Sequence, residues 1–542
     1  MLKIVLYEQF VLVGLNALCE RGVDTQILIK LLKFKYLLCL SLSLIVFIFT
    51  AGIPLTSTAT KATSQPNIIF VLTDDLDNAA VDYMPQVKSF LVDGGVSFSN
   101  YFVNISLCCP SRATILRGQY AHNTGVYTNK KSDGSFIYLY RHGLEKSTIA
   151  TWLQQKGYRN AYIGKYFNGY PRKAPKNYVP AGWDEWASPI FDSGYLGYKY
   201  TLNENGSFVE YGDRPQDYSA DVYTNKAQKF INQAASDKQP FFLYLSYLEP
   251  HQPAIPAPRH SKLFPDAFAP RTPSFNEADV EDKPEYIRQL PLLSQEQQDQ
   301  IDQLYQQRLR SLQAVDEGLV KLVNTLKANG QLDNTYIIFT SDNGFHLGQH
   351  RLPPQKETAY EEDIHVPLYI RGPDVPMGET RDQIVSNVDL APTFAELAGV
   401  NTPNFVDGRS LVPLFRRHVP LPTQWRQVLF LQHRLNPQTI PLIPDYKGLR
   451  SSNCTYVQYD TGEQELYDLR QDPDQLQNLA KVIKPQVIKE YAQHLIHLGS
   501  CRGKTCRERD LKPLPDCSIS NERHLIKRLL EIYLKLTNDQ NK

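Results

Sequence analysis

Residues 106–118, "SLCCPSRATILRG", set Cys108 beside Cys109 and follow them with Pro110, Ser111 and Arg112. Vicinal cysteines rarely form a relaxed bridge, because neighbouring Cα atoms lie only about 3.8 Å apart across a trans peptide. Either both are small apolar residues or one is kept for its reactivity. Two other stretches end in acids: "NIIFVLTDD" closes on Asp74 and Asp75, and "NTYIIFTSDNG" carries Asp342 and Asn343. Taken singly, such an aspartate reads as a helix N-cap after a strand. Taken together, they are carboxylates that would be costly to bury without a counter-charge. A divalent cation resolves the conflict, and all-oxygen ligands favour Ca²⁺ or Mg²⁺ over zinc. Basic residues occupy comparable places: Arg112 after the cysteines, Lys165 after "AYIG", His251 after "FFLYLSYLEP", and Lys356 beyond the second acidic end. Each alone reads as a surface charge. As a set, with the strand-end acids, they describe a site for a divalent cation and an anion such as sulfate or phosphate.

The elements that must position these residues alternate. Residues 67–75, 159–164, 240–248 and 334–341 are short apolar, β-branched or aromatic runs that read as buried strands. Between them lie helical patterns at 147–158, 226–235 and 299–330, the last with Ile301, Leu304, Leu312, Val315, Leu319, Leu322 and Leu326 at three- and four-residue spacing. It stops at Asn329 and Gly330. Alternation of this kind predicts an α/β fold with a mostly parallel sheet flanked by helices, in which ligands bind beyond the carboxyl ends of the strands. "VSNVDLAPTFAELAGV" reads as strand, then helix. After Trp425 the texture changes to short strands and tight turns. The expected organisation is an N-terminal extension with signal or anchor over 1–55, a polar linker over 56–66, a catalytic domain over 67–425 and a smaller α+β domain over 426–542. The last would end in a basic amphipathic helix over 523–536, packed on that domain rather than on a membrane.

The balance of 58 basic against 57 acidic residues offers no basic excess for a nucleic-acid partner. Lys30, Lys33 and Lys35 precede an apolar run over 36–49 and then Thr50, Ala51, Gly52 and Pro54, the order of a secretory signal. The run is short for a span of about 20 residues. An uncleaved anchor is the other reading, and the only one that would involve a membrane. Export suits the cysteines. Cys501 and Cys506 form a plausible small loop, and Cys454 with Cys517 a second bridge. Sequons stand at Asn104, Asn205 and Asn453.

"SLCCPSRATILRG" resembles the sulfatase signature, a Cys-x-Pro-Ser-Arg core that here begins at Cys108. The resemblance continues in family order through "NIIFVLTDD", "GYRNAYIGKY", "PHQP", "TSDNG", "KETAYEEDIHVPL" and "ELYDLRQDPDQLQNL". "LCCPSR", "GKYFNGY", "YTLNENG" and "DNGFHLGQH" are similar to the N-acetylglucosamine-6-sulfatase and heparan-sulfatase branch. The resemblance implies an alkaline-phosphatase-like fold and conversion of Cys108 to formylglycine by a sulfatase-maturing enzyme. It implies Ca²⁺, with Mg²⁺ the alternative, held by Asp74, Asp75, Asp342, Asn343 and the modified Cys108. Arg112 would hold the hydrated aldehyde, Lys165 and Lys356 the sulfuryl group, and His251 the sulfate or the leaving alcohol. His346 is a weaker candidate for the same region, evenly matched by a packing role. Many sulfatases have Gly-Lys-Trp-His where this chain reads Gly164-Lys165-Tyr166-Phe167-Asn168, so Asn168 can offer a hydrogen bond but not a base. Cys109 is read as a small filler. The implied substrate is a sulfated sugar or glycan, outside the cytoplasm: periplasmic or extracellular, or lysosomal in an animal cell. A phosphomonoester or phosphonate hydrolase on the same scaffold is the alternative enzyme. A binder of sulfated glycans is the non-catalytic alternative if Cys108 stays a thiol.

Overall fold

The computed structural model of the chain describes residues 65–518 apart from residue 131, together with the isolated residue 30. The expected signal or anchor and the C-terminal helix over 523–536 lie outside the described residues. Among the described residues, no helix is long and apolar enough to cross a membrane.

The strands in chain order are β1 (Asn67–Thr73), β2 (Val96–Phe98), β3 (Tyr101–Phe102), β4 (Arg159–Gly164), β5 (Glu185–Pro189), β6 (Tyr200–Glu204), β7 (Ser207–Tyr211) and β8 (Phe241–Ser246). They continue with β9 (Thr335–Ser341), β10 (Leu368–Arg371), β11 (Glu379–Arg381) and β12 (Val385–Ser386), and then β13 (Leu429–His433), β14 (Tyr446–Arg450), β15 (Cys454–Tyr459) and β16 (Gln464–Asp468). Ten of them form one sheet in the order β11-β2-β10-β9-β1-β8-β4-β5-β6-β7. Its middle, β9-β1-β8-β4-β5, is parallel throughout, and β10, β6 and β7 join antiparallel. This is the α/β architecture expected from the alternating pattern. The carboxyl ends of β1, β4, β8 and β9 therefore open on one edge.

The central strands are buried on both faces, which is why they read as unbroken apolar runs. Side chains alternate across the sheet as the pleat requires: Ile68, Phe70 and Leu72 enter one core, Ile69 and Val71 the other. On the second face lie α2 (Ser219–Asp237) and α3 (Gln295–Ala328), packed on each other. Ser294 caps α3, with Gln297 closing a capping box, and the helix stops before Asn329–Gly330. On the first face lie α1 (Cys108–Arg117) and α4 (Leu390–Leu397). All ten residues of α1 are buried, and Gly118 ends it in the left-handed region at φ 64°.

Strands β13 to β16 form a separate antiparallel sheet, against which α5 (Pro485–Gly499) packs. Its apolar face is continuous with the first core, since Leu429, Leu449 and Tyr456 share one cluster with Phe70 and Tyr244. Disulfides Cys454–Cys517 and Cys501–Cys506 tie this region together, and among the described residues Cys108 and Cys109 are unbridged.

Candidate active site

Asp74 and Asp75 follow β1 directly, Asp342 and Asn343 follow β9, Lys165 follows β4, and His251 lies in the loop after β8. The four parallel strands thus deliver acids and bases to one edge of the sheet. Cys108 reaches that edge as the first residue of α1, with Pro110 in the opening turn, where its missing N–H costs nothing. Neither Asp75 nor Asp342 caps a helix. The next regular helical turn after β1 begins at Ala79, and its Ala80 amide donates to Asp77 Oδ1 at 3.0 Å, so the N-cap reading of Asp75 is set aside. Asp75 instead sits at φ 65°, a conformation that is uncommon outside glycine and turns its carboxylate into the cluster.

Ligating atoms of Asp74, Asp75, Cys108 and His251 lie within 4.8 Å of one another. The Cys108 Sγ is 3.5 Å from Asp74 Oδ1 and 3.0 Å from Lys356 Nζ. Lys356 also pairs with Asp75, and Lys165 with Asp74. Arg112 is wholly buried. Its Nε donates to Asp342 Oδ2 at 2.8 Å, and Nη1 donates to the Lys165 carbonyl and to Ser246 Oγ at 2.8 and 2.7 Å. Asn343 donates through Nδ2 to Asp75 Oδ1 at 2.7 Å, while its buried Oδ1 has no hydrogen-bond partner. An orphaned amide oxygen beside three carboxylates suits a hard divalent cation. The residues present therefore fit the metal that the acids imply.

The charges balance. Arg112, Lys165 and Lys356 face Asp74, Asp75 and Asp342, three against three. Burial would raise the Asp74 carboxyl, but Lys165, His251, Arg112 and Lys356 outweigh it and hold it far below the usual range. Burial and then Asp74 push Asp342 up to about 6. Burial, reinforced by Asp74, pushes the Cys108 thiol up to about 12, against the pull of Lys165 and Lys356. Lys165 and Lys356 hold their protons firmly: burial opposes this, and Asp74 and Asp75 respectively override it. His251 is held below its ordinary value by burial, despite Asp75 and Asp74. Its Nδ1 lies 2.6 Å from the Gln252 carbonyl, which can only accept, so Nδ1 carries the proton. Nε2 then faces the site, 3.7 Å from Asp75 Oδ2.

Two sequence candidates stand apart from this cluster. His346 Nδ1 meets both Asp363 oxygens at 3.0 Å, and Asp363 in turn receives the Thr358 amide at 2.9 Å. His346 therefore braces the loop that carries Lys356, the packing role. Asn168 donates through Nδ2 to the Tyr195 hydroxyl at 3.0 Å, and its Oδ1 lies 3.3 Å from Cys109 Sγ. It shares a pocket with Lys165, Asp192 and Tyr195. Cys109 is buried, as a filler would be.

Residues 66–400 match the Sulfatase family, and residues 348–499 match the C-terminal family of N-sulphoglucosamine sulphohydrolase. The chain belongs to the sulfatase family of sulfuric ester hydrolases. It is 35% identical to human N-acetylglucosamine-6-sulfatase over 483 residues, covering 82% of this chain and 86% of that one. It is 39% identical over 386 residues to a putative extracellular sulfatase Sulf-1 homolog of Caenorhabditis elegans, covering 69% of this chain but spanning only 53% of that relative. A solved structure described as bound to its substrate, D-glucosamine-2-N,6-O-disulfate, superposes with a TM-score of 0.69 at 26% identity, covering 82% of this sulfatase and 99% of that chain.

Sequence reasoning missed two residues of this sulfatase site. The Tyr195 ring lies 4.5 Å from the His251 ring and 5.1 Å from Lys165 Nζ, closing one side of the cluster. Glu357, next to Lys356, is buried at φ 87° and accepts from Asn436 Nδ2 at 2.9 Å, while its carbonyl accepts from the Tyr446 hydroxyl at 3.2 Å. Neither carries a spacing signal. Tyr195 is one of 32 tyrosines, and the partners of Glu357 are 79 and 89 residues away.

Proposed function

We propose that this sulfatase removes sulfate from sugars, specifically the 6-O-sulfate of N-acetylglucosamine in a glycan, outside the cytoplasm. The observation that carries the reading is the placing of Cys108 at the helix start, between Asp74 and Lys356, inside a cluster of acids and bases. The human N-acetylglucosamine-6-sulfatase likeness supports the sugar and the position. The two disulfides and the signal-like N-terminus support export.

Asp74, Asp75, Asp342 and Asn343 would hold a calcium ion, which supplies positive charge to an oxygen nucleophile and to the sulfate. Formylglycine at residue 108, when formed and hydrated, supplies that oxygen and a second hydroxyl through which sulfate is released. The remaining work belongs to the chain's own side chains. Arg112 fixes Asp342 against the end of β4, so the acids keep their geometry. Lys165 and Lys356 bind the sulfuryl oxygens, where charge builds during transfer. His251 faces the sulfate and the leaving alcohol through Nε2, which must take up a proton before it can donate to either. Asn168 and Tyr195 wall the pocket on the side of Lys165. Because the side-chain charges cancel, an added divalent cation leaves a positive surplus that matches an anionic ester.

Mass spectrometry of the peptide spanning residues 108–112, in protein from its natural host, is the first test. An aldehyde mass at residue 108 is expected. Sulfate release from N-acetylglucosamine 6-sulfate should exceed hydrolysis of the matched phosphate ester, and a chelator should abolish it until Ca²⁺ is returned. An intact thiol with no sulfate release overturns the proposal and leaves a glycan binder. Preference for the phosphate ester leaves a phosphohydrolase.

A further inference from the structure

Arg112, Arg308 and Arg426 are the most deeply buried arginines among the described residues. Arg112 belongs to the cluster around Cys108, and Arg426 ties the start of α4 to the C-terminal region. Arg308, on α3, has no part in either, yet it meets three of the loops that build the site. Its Nη2 donates to the Asp75 carbonyl at 2.6 Å and to Asp77 Oδ2 at 2.8 Å, both in the loop after β1. Its Nη1 donates to the Pro250 carbonyl at 3.3 Å, in the loop after β8. Its guanidinium carbon lies 4.4 Å from the ring centroid of Phe345, in the loop after β9. Each loop delivers a residue to the cluster: Asp75 itself, His251 directly after Pro250, and Asn343 two residues before Phe345.

An ion pair with Asp77 does not by itself account for this arrangement. The Asp77 side chain keeps 11% of its exposure and that of Arg308 keeps none. Desolvating a cation completely to meet a carboxylate that water still touches returns little stability. What the burial gains is geometry, a planar fork whose donors reach carbonyls on two loops at once. Asp75 needs such a hold. Its left-handed φ of 65° persists only where the surroundings over-determine it. The Asp75 amide donates to Asp342 Oδ1 at 3.2 Å and its carbonyl accepts from Arg308, so the peptide groups on both sides of its Cα are pinned. Farther along, Asp316 of α3 accepts the Val87 amide at 2.8 Å, which ties the segment after β1 to one helix at both ends.

We infer that Arg308 is a positioning residue of this sulfatase, which holds Asp75 in the conformation that turns its carboxylate inward and fixes the backbone before His251 and after Asn343 relative to it. This role rests on the reading of the strand edge as the active site given above. Arg308 touches no reacting group. It acts through Asp75 and His251, so its loss misplaces the groups that serve the transition state and leaves the contacts that bind the sugar in place.

Two full-length variants test it. Arg308→Lys keeps a charge for Asp77, but one ammonium cannot span Asp75, Asp77 and Pro250 together. Arg308→Gln/Asp77→Asn removes both charges, so no unpaired ion stays buried, and it serves if the first variant does not fold. Mass spectrometry of the peptide spanning residues 108–112 first equalises the modified fraction. On N-acetylglucosamine 6-sulfate, kcat is expected to fall about thirtyfold while KM stays within about twofold. Crystal structures give the readout that needs no activity: in the variants Asp75 should leave the left-handed region. A kcat within about twofold of wild type, even with a lowered melting temperature, reduces Arg308 to a stabilising ion pair and overturns the inference. So does a crystal structure in which Asp75 and His251 have not moved. If the wild-type protein itself releases no sulfate, the function proposed above fails, whereas a displaced Asp75 in the variants still upholds the role of Arg308 and an unmoved one overturns it.

Discussion

Lys356 reaches residue 108 because its neighbour is held in place. A non-glycine residue at φ 87° costs on the order of 1–3 kcal/mol. Asn436 and Tyr446, from the C-terminal sheet region, hold Glu357 there through its carboxylate and carbonyl. Lys356→Ala should lower kcat about a hundredfold or more. Glu357→Ala, which leaves Lys356 intact, should lower kcat about tenfold with little change in KM. Steady-state kinetics on a small sulfate ester checks both, and an unchanged Glu357→Ala enzyme would refute the clamp. Arg112→Lys is not conservative, since an ammonium cannot span Asp342, the Lys165 carbonyl and Ser246 at once. Its expected cost is about 3 kcal/mol of stability, read as a lowered midpoint in denaturant melts. The acids, Cys108 and the three cations could be named from sequence because a short motif encloses each one. Tyr195 and Glu357 could not, because what makes them special is their partners.

The central parallel strands were legible as elements, since burial on both faces writes itself as an uninterrupted apolar run. The edge strands were not. β2, β10 and β11 are three or four residues long, and the β6–β7 hairpin is half polar. The helix that carries Cys108 shows no amphipathic period, because it is buried all round and mixes Ser111, Arg112, Thr114 and Arg117 with its apolar residues. A local prediction arises at the turn before the helix Ile149–Gln154. There Glu145 accepts from the hydroxyls of Tyr166 and Tyr178 at 2.8 and 3.1 Å. Burial pushes its carboxyl up to about 7, although both hydroxyls pull the other way. The folded protein then keeps this proton to higher pH than the unfolded chain does. The stability this contributes is complete below the ordinary carboxylate range and is lost as pH rises through about 7. Glu145→Gln should therefore gain relative to wild type between pH 6 and pH 8.5, by about 1.4 kcal/mol. Thermal melts at the two pH values would show it, and parallel curves would refute it.

Across the whole molecule, the ten-stranded and four-stranded sheets are joined by more than apolar packing. Arg426, fully buried, donates to Asp389 at the start of α4 through Nη2 at 2.7 Å and to Asp510 through Nε at 3.0 Å. The Cys454–Cys517 bridge closes a separation of 63 residues. Its loss in a Cys454→Ser/Cys517→Ser variant should cost about 4 kcal/mol by loop-entropy reasoning, against a smaller loss for the five-residue separation of Cys501–Cys506. Denaturant melts of the two double variants would rank them, and the reverse order would contradict this account. The amino-acid sequence alone determined the alternation of strands and helices, the acids at strand ends and the Cys-x-Pro-Ser-Arg core. Each is written in a few adjacent residues whose spacing follows the geometry of a strand, a helix or a turn. Only the tertiary structure decided that residues 74, 108, 165, 251, 342 and 356 share one edge, because that depends on which strands pair and in what sense. It alone also set the C-terminal sheet region against Glu357. Those contacts join residues far apart in the chain, and no local pattern of side chains encodes them.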